Sequence, residues 1–402
     1  MSHARTFLTA ISALALSAVA SAQTPAARPT PRGARGADTR PSAEAEALAA
    51  QRRAQAVAML TTLADQARDF RDETVRARAQ ARAADALWET DPKLARTLFR
   101  RAWEAADSAD REAARKLEEE VKAQLARHGT AMTSTPPDLR AEVLRLAAHR
   151  DRALGEEFLK QLVKASEQEA GDAAADATST NTTSANATSP SSISQAEQSP
   201  DAGQRLGLAQ DLLNEGDTQH AIQFADAALN SANIQSVGFL SALREKDAAE
   251  ADRRFAGLLA RAAADPASDA NTVSLLSSYV FQPFVFFMAY RSGGTGMSAL
   301  RAEAPAPDAP ALRAAFLRAA AQILLRPATP QDYERTSAGR SGTYLIIRRL
   351  LPYFELQAPE LAAALNARAA ALLPDVPERV RAVAEREARR AAGSEDAPRD
   401  EV

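Results

Sequence analysis

Cysteine is absent from all 402 residues. That excludes disulfides, thiol nucleophiles, thiolate metal sites and a lipid anchor on an N-terminal cysteine. Aromatic residues make up only 5% of the chain, and six of its 49 basic residues are lysine. Charge of either sign is nearly balanced: the formal net charge is -3. Bulk charge therefore draws the chain neither to nucleic acid nor to an anionic membrane. What is plentiful is alanine, the residue that costs least in a helix and does little for a strand, so the composition leans all-α. With 46% hydrophobic and 25% charged residues, the balance is that of an ordinary globular protein long enough for two or three domains.

Long apolar runs are also scarce, and the first one is short. Met1–Arg5 is weakly basic, Phe7–Ala20 is apolar, and Ala20-Ser21-Ala22 offers small residues before Gln23. This is the pattern of a cleaved secretory signal, and the run is too short for a bilayer span. The expectation is a signal peptide over residues 1–22, cleavage after Ala22, and a periplasmic or secreted protein with no integral span thereafter. Residues 23–43 are rich in Pro, Gly and Arg and read as a disordered leader. Helical sequence is expected over 44–169, a low-complexity linker over 170–203, helical sequence again over 204–374, and a charged tail over 375–402 that is helical to about Ala392. The linker has one large apolar residue, Ile193, so it cannot offset its ordering entropy by burial. Its two Asn-x-Thr triplets, at Asn181 and Asn186, follow from that composition.

Four segments share one local pattern. An apolar helix end leads to Asp91, Asp151, Asp217 or Asp247. Four residues later stand Ala95, Gly155, Ala221 and Ala251; eight later, Phe99, Leu159, Ala225 and Phe255; eleven later, Ala102, Leu162, Ala228 and Leu258. Spacings of four, four and three lie on one helix face. The Asp suits the N-cap of a second helix, where its carboxylate accepts backbone N–H groups and meets the positive end of the dipole. A small residue one turn on lets two helices approach closely. Ala83, Val143, Ala209 and Phe239, eight before each Asp, would lie on the facing helix. Each unit reads as a helical hairpin that must stack on neighbours to bury its face.

Leu212-Leu213-Asn214-Glu215-Gly216-Asp217, followed by Ala221, Ala225 and Ala228, resembles the turn and second helix of the tetratricopeptide family. Asp217 and Asp247 stand 30 residues apart, near that family's period of about 34. The resemblance covers about a third of the chain; Asp91 and Asp151 are 60 apart, and the family's early Trp and regular closing Pro are not matched. It implies helical hairpins stacked as a tetratricopeptide-like α-solenoid, with a concave surface for a protein or peptide partner.

Motifs for chemistry are thin. His128, His149 and His220 have no HExxH spacing and no cysteine to join, so spacing supports no zinc site, and no cofactor is expected. There is no GxSxG elbow, phosphate-binding loop or dinucleotide fingerprint. Gly293-Gly294-Thr295-Gly296 reads as a turn. Glu118-Glu119-Glu120 and Glu156-Glu157 read as solvated helix faces with support from basic residues one turn away. Trp88 and Trp103 read as core. The stretch from Asn271 to Arg291, with Tyr279, Phe281, Phe284, Phe286, Phe287 and Tyr290, stands apart as buried C-terminal core, with Pro283 breaking any helix through it. The reading is a non-enzymatic interaction scaffold with no catalytic residues and no nucleic-acid partner. The alternatives are a cell-envelope assembly factor or an envelope-associated hydrolase with a helical superstructure.

Overall fold

The computed structural model describes residues 43–128, 138–177, 200–281, 285–289, 295–299 and 309–393. The expected signal peptide and nearly all of the leader, the centre of the linker with both Asn-x-Thr triplets, and Gly293-Gly294 lie outside those residues. The chain divides into two compact units, Met1–Gln55 and Ala56–Val402. Of the first, only residues 43–55 are described; they begin helix α1 (Ala43–Gln66) and are all exposed.

Among its described residues, the second unit is all-α apart from one β-hairpin. After the end of α1 come α2 (Glu73–Leu87), α3 (Pro92–His128), α4 (Leu139–Arg150) and α5 (Arg152–Ala177). Beyond the linker follow α6 (Pro200–Asn214), α7 (Thr218–Ala225), α8 (Ile234–Lys246) and α9 (Ala248–Ala264). The C-terminal part holds α10 (Ala270–Val280), strands β1 (Val285–Ala289) and β2 (Thr295–Ala299), α11 (Pro310–Leu324), α12 (Pro330–Arg335), α13 (Gly339–Gln357), α14 (Pro359–Leu372) and α15 (Glu378–Gly393). Among the described residues, no helix is long and apolar enough to cross a membrane.

The turn aspartates do local work. Asp91 Oδ1 accepts the Leu94 amide at 2.9 Å, Asp151 Oδ1 the Ala153 amide at 2.9 Å, Asp217 Oδ1 the His220 amide at 3.2 Å and Asp247 Oδ1 the Glu250 amide at 3.0 Å. Each therefore satisfies an orphan donor at the start of α3, α5, α7 or α9. Behind them Ala95, Phe99, Gly155, Leu159, Ala221, Ala225, Ala251 and Phe255 are all buried. Gly155 marks the tightest crossing: a Cβ built there would lie 2.8 Å from Phe224 Cζ and 2.9 Å from Ala148 Cβ. The second helices are unequal, at 37, 26, 8 and 17 residues. The shortest, α7, stops before Ala228, which is buried in the following turn.

Alanines let these helices approach, and phenylalanines fill the space between them. Phe99, Phe158, Phe224, Phe239, Phe255, Phe316 and Phe354, each on a different helix, are among the largest fully buried side chains. Trp103 stacks on Phe158 with centroids 4.6 Å apart, and Trp88 lies half-buried beneath the Arg96 guanidinium. One hydrophobic core runs from Ala64 to Ala384.

Three regions gain detail here. The stretch after Asn271 leaves the helix before Pro283 and is largely buried where it is described: Val273, Leu276, Tyr279, Val280 and Ala289 are buried, while the side chains of Phe284, Phe286, Phe287 and Tyr290 lie outside the described residues. Helix α10 ends at Val280, and a two-stranded antiparallel ladder follows, pairing Val285 with Ala299 and Ala289 with Thr295. Thr295 and Gly296 accordingly open a strand rather than complete a turn. Next, both ends of the low-complexity stretch are helical: α5 runs on to Ala177 and α6 begins at Pro200. Helix α5 packs directly on α6, so the stretch interrupts the chain and not the core. Lastly, the charged segment after residue 377 forms α15, which packs on α13 and buries Val380 and Ala384. Its charged residues mask an apolar stripe that only helical geometry brings into line.

Candidate functional site

Polar side chains from separate parts of the chain gather in a cleft and in a smaller cluster between hairpins. The larger is a cleft of about 740 Å³ where the α7–α8 turn, the α9–α10 loop and the segments flanking α12 meet; its walls include Asn230, Arg261, Asp265, Arg326, Asp332 and Tyr333. Most of these polar groups already have tasks. Arg326 donates to the carbonyls of Ala263 at 3.1 Å and of Asp265 and Pro266 at 3.0 Å, holding the α9–α10 loop. Arg261 reaches the Leu229 carbonyl. Asp269 serves two elements: Oδ1 accepts the amides of Asn271 and Thr272 at the start of α10, and Oδ2 accepts the Ser337 amide and hydroxyl ahead of α13.

Asn271 works as a piece of strand edge. Its Nδ2 donates to the Ala289 carbonyl at 2.8 Å and its Oδ1 accepts the Ala289 amide at 2.9 Å. This seats β1 against α10. On the other side, a Cβ at Gly342 would lie 2.9 Å from Ala289 Cβ, so α13 also approaches the strand closely. Tyr333 packs beneath the guanidinium groups of Arg368 and Arg340, with 5.6 and 5.9 Å to the ring centroid. Burial pushes its hydroxyl above the ordinary tyrosine value against the opposing pull of those two cations. The cleft is thus a shaped, hydrogen-bonded concavity formed by helix ends.

The smaller place lies between consecutive hairpins. His149, near the end of α4, and His220, in the first turn of α7, both meet Asp217, the N-cap of α7. Oδ2 of that one carboxylate is 2.5 Å from His149 Nδ1 and 2.8 Å from His220 Nδ1. The rings stand edge to face at 6.2 Å. Burial raises the Asp217 carboxyl, but the His220 amide and the two imidazoles outweigh it, so it lies below the usual carboxylate range. His128 stands apart, exposed at the end of α3.

The acidic pairs divide between solvent and tertiary contacts. Glu118 pairs with Lys122 one turn on, as a solvated face should. Glu156 and Glu157 differ: Glu156 binds the buried Arg205 of α6 at 2.8 Å, and Glu157 binds Arg100 of α3 at 2.8 Å. Both are tertiary ion pairs, and burial of Arg205 requires the first because a buried guanidinium needs a counter-charge. Asp151 likewise accepts from Arg96 of the preceding hairpin at 2.8 Å. The His149–Asp217–His220 group escapes a search by spacing, because its members come from helices separated by the linker. A usable signal exists all the same: His149 and His220 each flank a turn aspartate, and adjacent hairpins can bring such turns to one edge.

No protein family, no characterised protein and no solved structure matches the chain.

Proposed function

We propose that this is an exported, non-enzymatic scaffold of tetratricopeptide-like helical hairpins, acting in the periplasm or outside the cell, that holds a segment of a partner protein in the cleft between the α9–α10 loop and α12. The observation that carries the reading is the state of the polar groups in that cleft. Asp269, Asn271, Arg261 and Arg326 are spent on holding loops and helix ends, which suits a preformed receptor surface. Mixed walls of apolar side chains and of Asp and Arg suit a peptide better than a uniformly charged polymer. Short turns capped by aspartate and small residues at the crossings support the solenoid arrangement, since they recur at Asp91, Asp151, Asp217 and Asp247. The N-terminal sequence supports export.

A photoreactive amino acid placed at Ala267, an exposed residue of the cleft, tests this in cells. A discrete protein adduct is expected from Ala267 and not from the equally exposed Ala249 outside the cleft. Equal labelling from both positions, or none from either, would refute the reading.

A further inference from the structure

We propose that His149, Asp217 and His220 bind one divalent cation of the zinc class, and that the ion ties the α4–α5 hairpin to the turn between α6 and α7. Three atoms suited to such an ion, two imidazole nitrogens and a carboxylate oxygen, lie within 4.8 Å of one another. They come from two hairpins whose α4 and α6 pack together, so an ion here would span a tertiary contact.

The donors converge in a specific way. Both rings direct Nδ1 at the same oxygen, Asp217 Oδ2, while Oδ1 is occupied by the His220 amide. Without an ion, each neutral ring must carry its proton on Nδ1 to make these hydrogen bonds. With an ion, each ring ligates through Nδ1 and carries its proton on Nε2 instead, so one cation takes the place of two hydrogen-bonding protons. Tetrahedral zinc with bonds of about 2.0–2.1 Å sets its ligands about 3.3 Å apart. The observed 2.5 and 2.8 Å therefore have to open by about 0.5–0.8 Å, and the two ring nitrogens, within 4.8 Å of each other, have to settle at the same spacing. His149 can supply that movement, since its side chain is 45% exposed, while Asp217 is held by its cap and is only 11% exposed.

Charge and access agree with this. Among the described residues, no Lys or Arg pairs with Asp217 in its hydrogen bonds or ion pairs. Arg145 and Arg150, on the same helix as His149, are engaged by Glu215 at 2.9 Å and by Asp85 at 2.6 Å. The carboxylate charge is thus free to offset a metal ion. The part-exposed histidines leave one coordination position open to water. Two imidazoles and one carboxylate suit zinc and its neighbours, whereas calcium and magnesium take all-oxygen shells.

The test uses the full chain, stripped with chelator and carrying no histidine tag, titrated calorimetrically with Zn²⁺ and separately with Co²⁺. One Zn²⁺ per chain is expected, together with the visible absorption of tetrahedral Co²⁺. His149→Ala and His220→Ala should each weaken Zn²⁺ binding at least about tenfold, a scale set by losses from even outer-shell partners. Asp217→Asn should do the same while keeping the helix cap, because Asn serves as well at that position; circular dichroism of all variants establishes that they remain folded. His128→Ala should leave affinity unchanged. Absence of saturable binding, or equal losses from His149→Ala and His128→Ala, would overturn the proposal.

Discussion

Gly155 offers the sharpest test of how these hairpins are held together. It sits in the first turn of α5, where the helix meets both α4 and the ring of Phe224. Replacing it with alanine has two opposed effects. A helical Gly→Ala change gains about 0.8–1 kcal/mol from backbone entropy and propensity. Against this, the new methyl would stand 2.8 Å from Phe224 Cζ and 2.9 Å from Ala148 Cβ. Neither neighbour is the loose end of an exposed chain: Phe224 and Ala148 are both fully buried. Overpacking of this kind costs about 1–3 kcal/mol, so Gly155→Ala should be neutral to destabilising by about 2 kcal/mol. Gly207, exposed on α6, is the matched control, because a Cβ there meets nothing within 4 Å. Gly207→Ala should stabilise by the full propensity term. The propensity gain cancels between the two variants, so their difference isolates the steric cost at about 1–3 kcal/mol. Urea unfolding followed by tryptophan fluorescence reads this locally, since Trp103 stacks on Phe158 one turn beyond Gly155. If both variants stabilise equally, α4, α5 and α7 do not meet as closely as described.

Ala221→Leu and Ala251→Leu should each destabilise by about 1–3 kcal/mol, because both alanines are fully buried; Ala227→Leu and Ala249→Leu, at exposed positions, should melt as wild type, and equal melting of all four would remove the packing argument. The Asp217 carboxyl lies below its ordinary value when folded, so the folded chain binds fewer protons there than the unfolded one. Its stabilisation is present above the ordinary carboxylate value of about 3.9 and is lost as pH falls through the lower folded value. The stability gap between wild type and Asp217→Asn should therefore narrow in urea titrations carried below about pH 4, with His149 and His220 facing position 217 in both proteins; a gap independent of pH would refute the assignment.

Helix content, the turn aspartates and the buried small residues behind them are legible in the sequence, because capping and amphipathic periodicity act over four to eleven residues of a single chain segment. Asp217 with Ala221, and Asp247 with Ala251, show this directly. The resemblance to tetratricopeptide hairpins rests on the same local signals, and the unequal lengths of α3, α5, α7 and α9 were not contained in them. Segment 285–299 shows the limit from the other side: β1 pairs with β2 and is seated by the Asn271 side chain, eighteen residues from Ala289 and outside any local window. Glu156 was indistinguishable from a solvated glutamate until α6 placed Arg205 beside it. The meeting of His149 and His220 on one oxygen of Asp217 likewise depended on which hairpin packs against which. A chain segment encodes its own backbone preferences, but the identity of a long-range neighbour is settled only when many such segments bury their faces together.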